Sequence, residues 1–317
     1  MEPKPNRTQQ IKFTRIEGVP LIEPDPSLAW EAGGVFAPAV IHENGKWKML
    51  YRAYGTDKIS RLGYAESNDG IKWQKDKEPR VIPDNTGLEY SGIEDPRIVK
   101  IDGRYFITYT AYANKIRYVK TRIRILETTD FRNFKRVTPS FRNHWRKNDK
   151  DGVLFPEKMH GSYHILHRLE PDIQLSSSKN LRRWTEYTTV LSPTNNEWES
   201  RKIGAGAPPI KTPIGWLIFY HGVSETGKYS MGAAILGAHT PTKVLYRLPF
   251  PLLSPDVTYE ANGVVANVVF GTSVIELVSS YRLYYGAGDK VIAAALINKS
   301  ALLKALIQYP TSILTRY

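Results

Sequence analysis

The stretch SGIEDPRIVKIDGRYFITYTAY (91–112) places two adjacent carboxylates, Glu94 and Asp95, before a proline and an arginine at the head of an apolar run. A carboxylate at the mouth of a buried strand is costly unless it is paired or used. The same pattern recurs along the chain, which lets its surroundings be read. Aligned on an aromatic residue, five stretches read ENGKWKMLYRAY, IDGRYFITYTAY, MHGSYHILHRLE, TPIGWLIFYHGV and VSSYRLYYGAGD, anchored on Trp47, Tyr105, Tyr163, Trp216 and Tyr281. Five residues beyond each anchor stand Arg52, Thr110, Arg168, His221 and Gly286. Three of these can carry positive charge, and a ring of such groups is costly unless an anion joins them. The competing reading pairs each cation with a carboxylate of its own repeat.

Nine residues before the first two anchors stand Pro38 and Pro96, so Ala37 and Asp95 are equivalent. Lys150 and Asp151 lead into the third repeat and Lys202 into the fourth. Asp95, Lys150, Asp151 and Lys202 are therefore expected to point inward together. Strand alternation turns Glu94 the other way, toward Arg97 or a neighbouring repeat. One acid facing several cations suits a particular chemistry. Inverting cleavage of a glycoside by water uses two carboxylates, an acid and a base. A phosphate nucleophile needs no base. It needs Arg and Lys to hold it, so one acid with an Arg, Lys and His cluster is the requirement of an inverting phosphorylase.

The elements that must position these groups follow from the repeat. The anchors lie 58, 58, 53 and 65 residues apart, with glycine pairs ahead of the first four that read as hairpin tips. A second signature, DGIKW (69–73), DFRNF (130–134) and NLRRW (180–184), reads as a turn into a last strand. Five strand-dense repeats predict an all-β, five-bladed β-propeller with short N- and C-terminal extensions. The whole chain, 1–317, is expected to form one catalytic domain. Its blades span roughly 30–85, 90–140, 148–195, 200–255 and 260–298, and a short helix and tail follow (299–317). KSALLKALI (299–307) is expected to be helical, with Ser300 as the candidate cap.

Composition excludes other classes. Hydrophobic residues make up 41% of the 317, so a sizeable core is available, and the absence of cysteine removes disulfides and thiolate metal sites. The net charge of +13 is scattered rather than blocked, which argues against nucleic-acid binding. MEPKPNRTQQIKF does not read as a signal peptide, and NGVVANVVFGTSVIELVSS is too short for a membrane span. The expectation is a cytoplasmic protein with no nucleic-acid or membrane partner. No metal is expected, because HGSYHILH (160–167) reads as an ordinary strand. GAGAPP lacks the strand–turn–helix context of a dinucleotide site.

The stretches GIEDPRI, DGRYFITYTAY, LFPEK, LHR, KIGAGAPPIKT, GWLIFYHGV and YYGAGD, in this order, resemble the β-mannoside phosphorylases of glycoside hydrolase family 130. The resemblance implies inverting phosphorolysis of β-1,2- or β-1,4-linked manno-oligosaccharides to α-mannose 1-phosphate, or the reverse synthesis. It implies Asp95 as general acid, its proton passing through the 3-hydroxyl of the mannose. Arg168, Lys202 and His221 become phosphate ligands, Tyr229 a further contact, and Lys150 joins them. Arg52 and Asp289 are placed on the mannosyl unit, and Asp151 and Tyr112 on the substrate. Inorganic phosphate is the co-substrate and no cofactor is implied. The chain departs from the family pattern at Ala37, where many members have Asn, and at Lys150-Asp151, where many mannobiose-type members have Arg-Asn. It departs again at ANVVFG (266–271), where many read PNVVFP. Linkage preference is assigned to loops around 54–62, 113–120 and 140–150. The N-terminal arm (1–20) and the C-terminal IQYPTSILTRY leave a homo-oligomer open. Three other readings compete: a β-mannoside hydrolase, a β-mannosyltransferase, and a non-catalytic sugar-binding propeller with Tyr54, Tyr112 and Tyr229 as stacking faces.

Overall fold

The structure is a computed structural model that describes residues 10–16, 18–84, 87–114, 120–141 and 147–311. Residues 115–119 and 142–146, to which linkage preference is partly assigned, and residues 1–9, 17, 85–86 and 312–317 lie outside the described residues. The chain folds as a five-bladed β-propeller. Blade one is Gly34–Glu43, Lys46–Tyr54, Ser60–Ser67 and Gln74–Lys75, and blade two is Gly92–Ile101, Arg104–Tyr112, Thr121–Thr128 and Lys135–Val137. Blade three is Lys150–Leu154, Tyr163–Leu169, Asp172–Ser178 and Arg183–Leu191. Blade four is Lys202–Ala205, Gly215–Val223, Tyr229–Leu236 and Val244–Arg247. Blade five is Val269–Glu276, Ser280–Ala287 and Val291–Asn298. Its outer strand is Thr14–Arg15, from the N-terminal arm, paired antiparallel with Val291–Asn298. Over its described residues the arm thus docks on the chain's own propeller. It closes the ring by covering an edge that would otherwise stay unpaired.

The local signals act as their chemistry dictates. Asn44-Gly45, Asp102-Gly103 and His160-Gly161 all have both residues at positive φ, as a type I′ hairpin requires. Ile214-Gly215 differs: only Gly215 has positive φ, at 130°. The second signature is an Asx turn in each of three blades. Asp69 Oδ1 accepts from the amides of Ile71 and Lys72, Asp130 Oδ1 from Arg132 and Asn133, and Asn180 Oδ1 from Arg182 and Arg183. The helix Lys299–Leu306 is capped by Asn298, not Ser300, because the Asn298 side chain accepts from the Ala301 amide.

Each sheet packs between two others, so its inner and middle strands are largely buried on both faces. Gly215–Val223 is buried at every residue. Val153, Phe155 and Leu166 of blade three meet Trp216, Ile218 and Tyr220 of blade four. All five anchors are buried.

A clasp repeats between these faces. In four blades a fully buried glutamate just before the inner strand accepts from a tyrosine four residues beyond the anchor. The pairs are Tyr51–Glu31 (2.9 Å), Tyr109–Glu89 (2.5 Å), Tyr220–Glu199 (2.8 Å) and Tyr285–Glu260 (2.7 Å). The outermost strand adds the cation: Lys75, Arg136, Arg247 and Arg15 respectively. Blade three substitutes Asp149, His167 and Ser176 in one hydrogen-bonded chain. Arg15 thus ties the closing strand to Glu260 (2.6 Å). Removing one partner of a buried ion pair typically costs about 3–5 kcal/mol, so Glu260→Ala should destabilise the protein by that order in urea titration. It should also release the amides of Thr14–Ile16 in hydrogen exchange. Retained protection at those amides would separate strand closure from the clasp.

Among the described residues, no helix is long and apolar enough to cross a membrane.

Candidate active site

The inner strands carry the site, and a shared irregularity shapes it. In register across the inner hairpins stand Phe36–Arg52, Glu94–Thr110, Lys150–Arg168, Gly204–His221 and Phe270–Gly286, one pair per blade. The ladder then slips in blades one, two, three and five, between Phe36 and Pro38, Glu94 and Arg97, Lys150 and Val153, and Gly271 and Ser273. Ala37, Asp95 and Asp151 stand at these bulges with φ of 47°, 52° and 54°. Left-handed backbone at a non-glycine residue costs roughly 1–2 kcal/mol and is met where a side chain must be re-aimed. Pro96 suits such a break, since it has no amide to give to the ladder.

The bulge corrects the side expected of Glu94, while its partners do come from neighbouring blades rather than from Arg97. Alternation holds only along a regular strand. Here Arg52 binds both carboxylates, Nη2 to Glu94 at 2.7 Å and Nη1 to Asp95 at 3.0 Å. Lys150 Nζ adds a 3.1 Å contact to Glu94. Arg97 turns elsewhere, donating to the Asp95 carbonyl and to Asp151 Oδ1 at 3.2 Å. Arg168 Nη1 lies 3.0 Å from Asp151 Oδ2. Most of these pairs cross between blades, so the cations do not simply neutralise carboxylates of their own repeat.

A cavity of about 190 Å³ opens among these groups. Arg52, Asp95, Lys150, Asp151, Arg168 and Asp289 line it, with Phe36, Tyr229 and Phe270 as an aromatic wall. Ligand pockets for larger molecules run about 300–1,000 Å³, so this space suits one small, polar, charged unit. Arg52 rests 4.7 Å over the Phe36 ring, which fixes its fork toward the carboxylates.

The electrostatics separate the acids. Burial would push the Asp95 carboxyl up, but Arg52, Lys150 and Arg97 outweigh it and hold it below its ordinary value. Asp151 is also held down: burial opposes ionisation, and Arg168 with its fellow cations prevails. Asp289 behaves differently. Burial, with Asp95 and Glu94 nearby, pushes it up to about 6 against the pull of Arg52.

Seven expected residues meet at the cavity: Arg52, Asp95, Lys150, Asp151, Arg168, Tyr229 and Asp289. Three are not among its lining. His221 is fully buried, and burial lowers its pKa to about 3 even beside Asp151. It is therefore neutral at ordinary pH rather than the cation read from the repeat. Arg168 Nη1 donates to His221 Nε2 at 3.2 Å, so His221 braces the arginine. Gly204 leaves the space for this, since a Cβ there would meet the His221 ring at 2.4 Å and Asp151 Oδ2 at 2.5 Å. Lys202 pairs with Val223, two residues before Gly204, and so stands one layer off the ring. Its Nζ binds Glu170 at 2.6 Å. Tyr112 occupies the corresponding layer of blade two, opposite Gly92.

Sequence reading named Glu94 but set it aside for Asp95, and it passed over Phe36, Phe270 and Glu170. Glu94, Phe36 and Phe270 stand in the register ring and follow from its alignment. Glu170 lies two residues past Arg168, just beyond the end of the strand Tyr163–Leu169. Among the described residues, no three His, Asp or Glu side chains are grouped to hold a metal ion.

Residues 12–308 match the family model described as beta-1,4-mannooligosaccharide phosphorylase. The chain is 36% identical over 301 residues to a 1,2-beta-oligomannan phosphorylase of Thermoanaerobacter sp., covering 90% of this chain and 97% of that one. It is 32% identical over 286 residues to a beta-1,4-mannooligosaccharide phosphorylase of Ruminococcus albus, covering 83% and 82%. Among solved structures, the beta-1,2-mannobiose phosphorylase from Listeria innocua in complex with beta-1,2-mannobiose superposes with a TM-score of 0.81. That alignment is 28% identical and covers 93% of this chain and 99% of the other.

Proposed function

This chain belongs to glycoside hydrolase family 130, and from that premise we propose that it is an inverting phosphorylase of β-mannosides. The products are α-mannose 1-phosphate and the shortened saccharide. A phosphate oxygen attacks C1 of the mannosyl unit while the glycosidic C–O bond breaks. The leaving oxygen takes the proton of the mannose 3-hydroxyl, which Asp95 replaces. Lys150 and Arg168 hold the phosphate, Lys202 adds charge at the edge, and His221 keeps Arg168 in place. Arg52 and Asp289 orient the mannosyl unit. Tyr229 closes the phosphate side. The reaction needs inorganic phosphate and no other cofactor.

One observation carries this reading over hydrolysis. Besides Asp95 and Asp289, which is assigned to the mannosyl unit, the cavity holds one carboxylate, Asp151, which lies between Arg97 and Arg168 and is held well below its ordinary value. So stabilised an anion is a poor base for water. Lys150 and Arg168, by contrast, face the same space as Asp95. The test is incubation with β-1,2- and β-1,4-mannobiose, with and without phosphate. Mannose 1-phosphate should form only with phosphate present. Mannose release without phosphate would assign hydrolysis instead, and product from GDP-mannose would assign transfer.

A further inference from the structure

Three carboxylates of the cavity cluster are locked in buried ion pairs, and one more at its edge is paired but exposed. Glu94 lies between Arg52 and Lys150, Asp95 on Arg52, and Asp151 between Arg97 and Arg168, each with a side chain under 10% exposed. Glu170 differs. Its side chain is 58% exposed, and its Oε1 lies 2.6 Å from Lys202 Nζ and 3.9 Å from Arg168 Nη2. It therefore spans a cation that lines the cavity and a cation one layer outside it. Its own carboxyl is held below its ordinary value, first by the Lys202 hydrogen bond and then by Arg168.

We propose that Glu170 is the resident counter-anion of the phosphate site, docked across Lys202 and Arg168 in the free protein and displaced by phosphate when it binds. This rests on the phosphorylase reading above. With Glu170 docked, Arg97, Arg168 and Lys202 face two carboxylates, Asp151 and Glu170. With Glu170 swung out they face one, and the excess positive charge becomes available to an incoming anion. Asp151 cannot take this part, because it is buried between two arginines. The exposed Glu170 side chain can leave for water at little cost.

The docked carboxylate sets a competition. Phosphate binds only the fraction of molecules whose cations are free, so its apparent affinity falls by that fraction. Mannose 1-phosphate presents the same group to the same cations. Re-docking of Glu170 therefore helps to expel product.

Calorimetric titration of inorganic phosphate into the full-length protein, beside steady-state kinetics, tests this with Glu170→Gln and Glu170→Ala. An exposed ion pair limits the competition to a few-fold, so both variants should bind phosphate about three to five times tighter. The KM for phosphate should fall in step, mannose 1-phosphate should inhibit more strongly, and the KM for the mannoside should not move. In a Lys202→Met background the gain from Glu170→Gln should shrink, because the latch has lost its main partner. Phosphate affinity unchanged or weaker in both variants overturns the proposal. Tighter phosphate binding with phosphate-independent turnover would overturn the phosphorylase reading and leave the displaced carboxylate standing. No phosphate binding by any of these proteins, with mannosides still cleaved, overturns both.

Discussion

Asp95→Asn loses phosphorolysis by about a thousandfold, within the 10²–10⁴ that a positioned general acid contributes, while phosphate and mannoside still bind. The amide keeps the shape of the carboxyl but has no proton to release. It also removes a negative charge beside Arg52 and Lys150, so phosphate affinity should hold or rise. A variant within tenfold of the parent rate would remove Asp95 from the chemistry. The electrostatics add a pH signature. In the free protein Asp95 is held in its charged form by Arg52, Lys150 and Arg97. A bound phosphate takes over part of Lys150 and brings its own negative charge, and both effects raise the Asp95 pKa. The alkaline limb of the rate should therefore move to higher pH as phosphate goes from limiting to saturating. A limb that does not respond to phosphate would place the titrating group outside this cluster.

Arg168→Ala should lower kcat/KM for phosphate by about 10²–10³, in keeping with truncation of one partner in a desolvated charge pair. Two losses combine. The phosphate loses a two-pronged donor, and Asp151 loses its 3.0 Å partner while keeping Arg97. Arg168→Lys should recover part of the rate, since a point charge replaces the fork without its geometry. The KM for the mannoside should change far less, because Arg52 and Asp289, not Arg168, are assigned to the mannosyl unit. Equal losses for phosphate and mannoside would mean that Arg168 supports the cavity as a whole. His221→Ala offers a graded comparison. It leaves the arginine charge in place but removes its brace, so its loss should be smaller than that of Arg168→Ala.

The repeat was legible in the amino-acid sequence because it rests on local chemistry. Asn44-Gly45 and Asp102-Gly103 make their turns from their own backbone preferences, and Asp69, Asp130 and Asn180 bond amides two and three residues away. Spacing between anchors then gave the blade number. Position within a blade gave the ring that holds Arg52 and Arg168. The clasp was also written there, as a tyrosine or histidine four residues past every anchor. It went unread because its glutamates lie outside the hairpins.

Tertiary structure alone decided how the charges pair. Arg52 reaches Glu94 and Asp95 across 42 and 43 residues, and Arg97 reaches Asp151 across 54, contacts that exist only once blades stand side by side. The bulges that bring Glu94 and Asp95 onto one arginine break the alternation on which sequence reading depends. Full burial made His221 neutral, and desolvation is set by neighbours distant in the chain. The ring was likewise closed by Arg15, 245 residues from Glu260. Amino-acid order determined the blades and the depth of each side chain along them. Convergence of five inner strands determined which of those side chains share a cavity, because electrostatic partners are fixed by distance through space and by lost water.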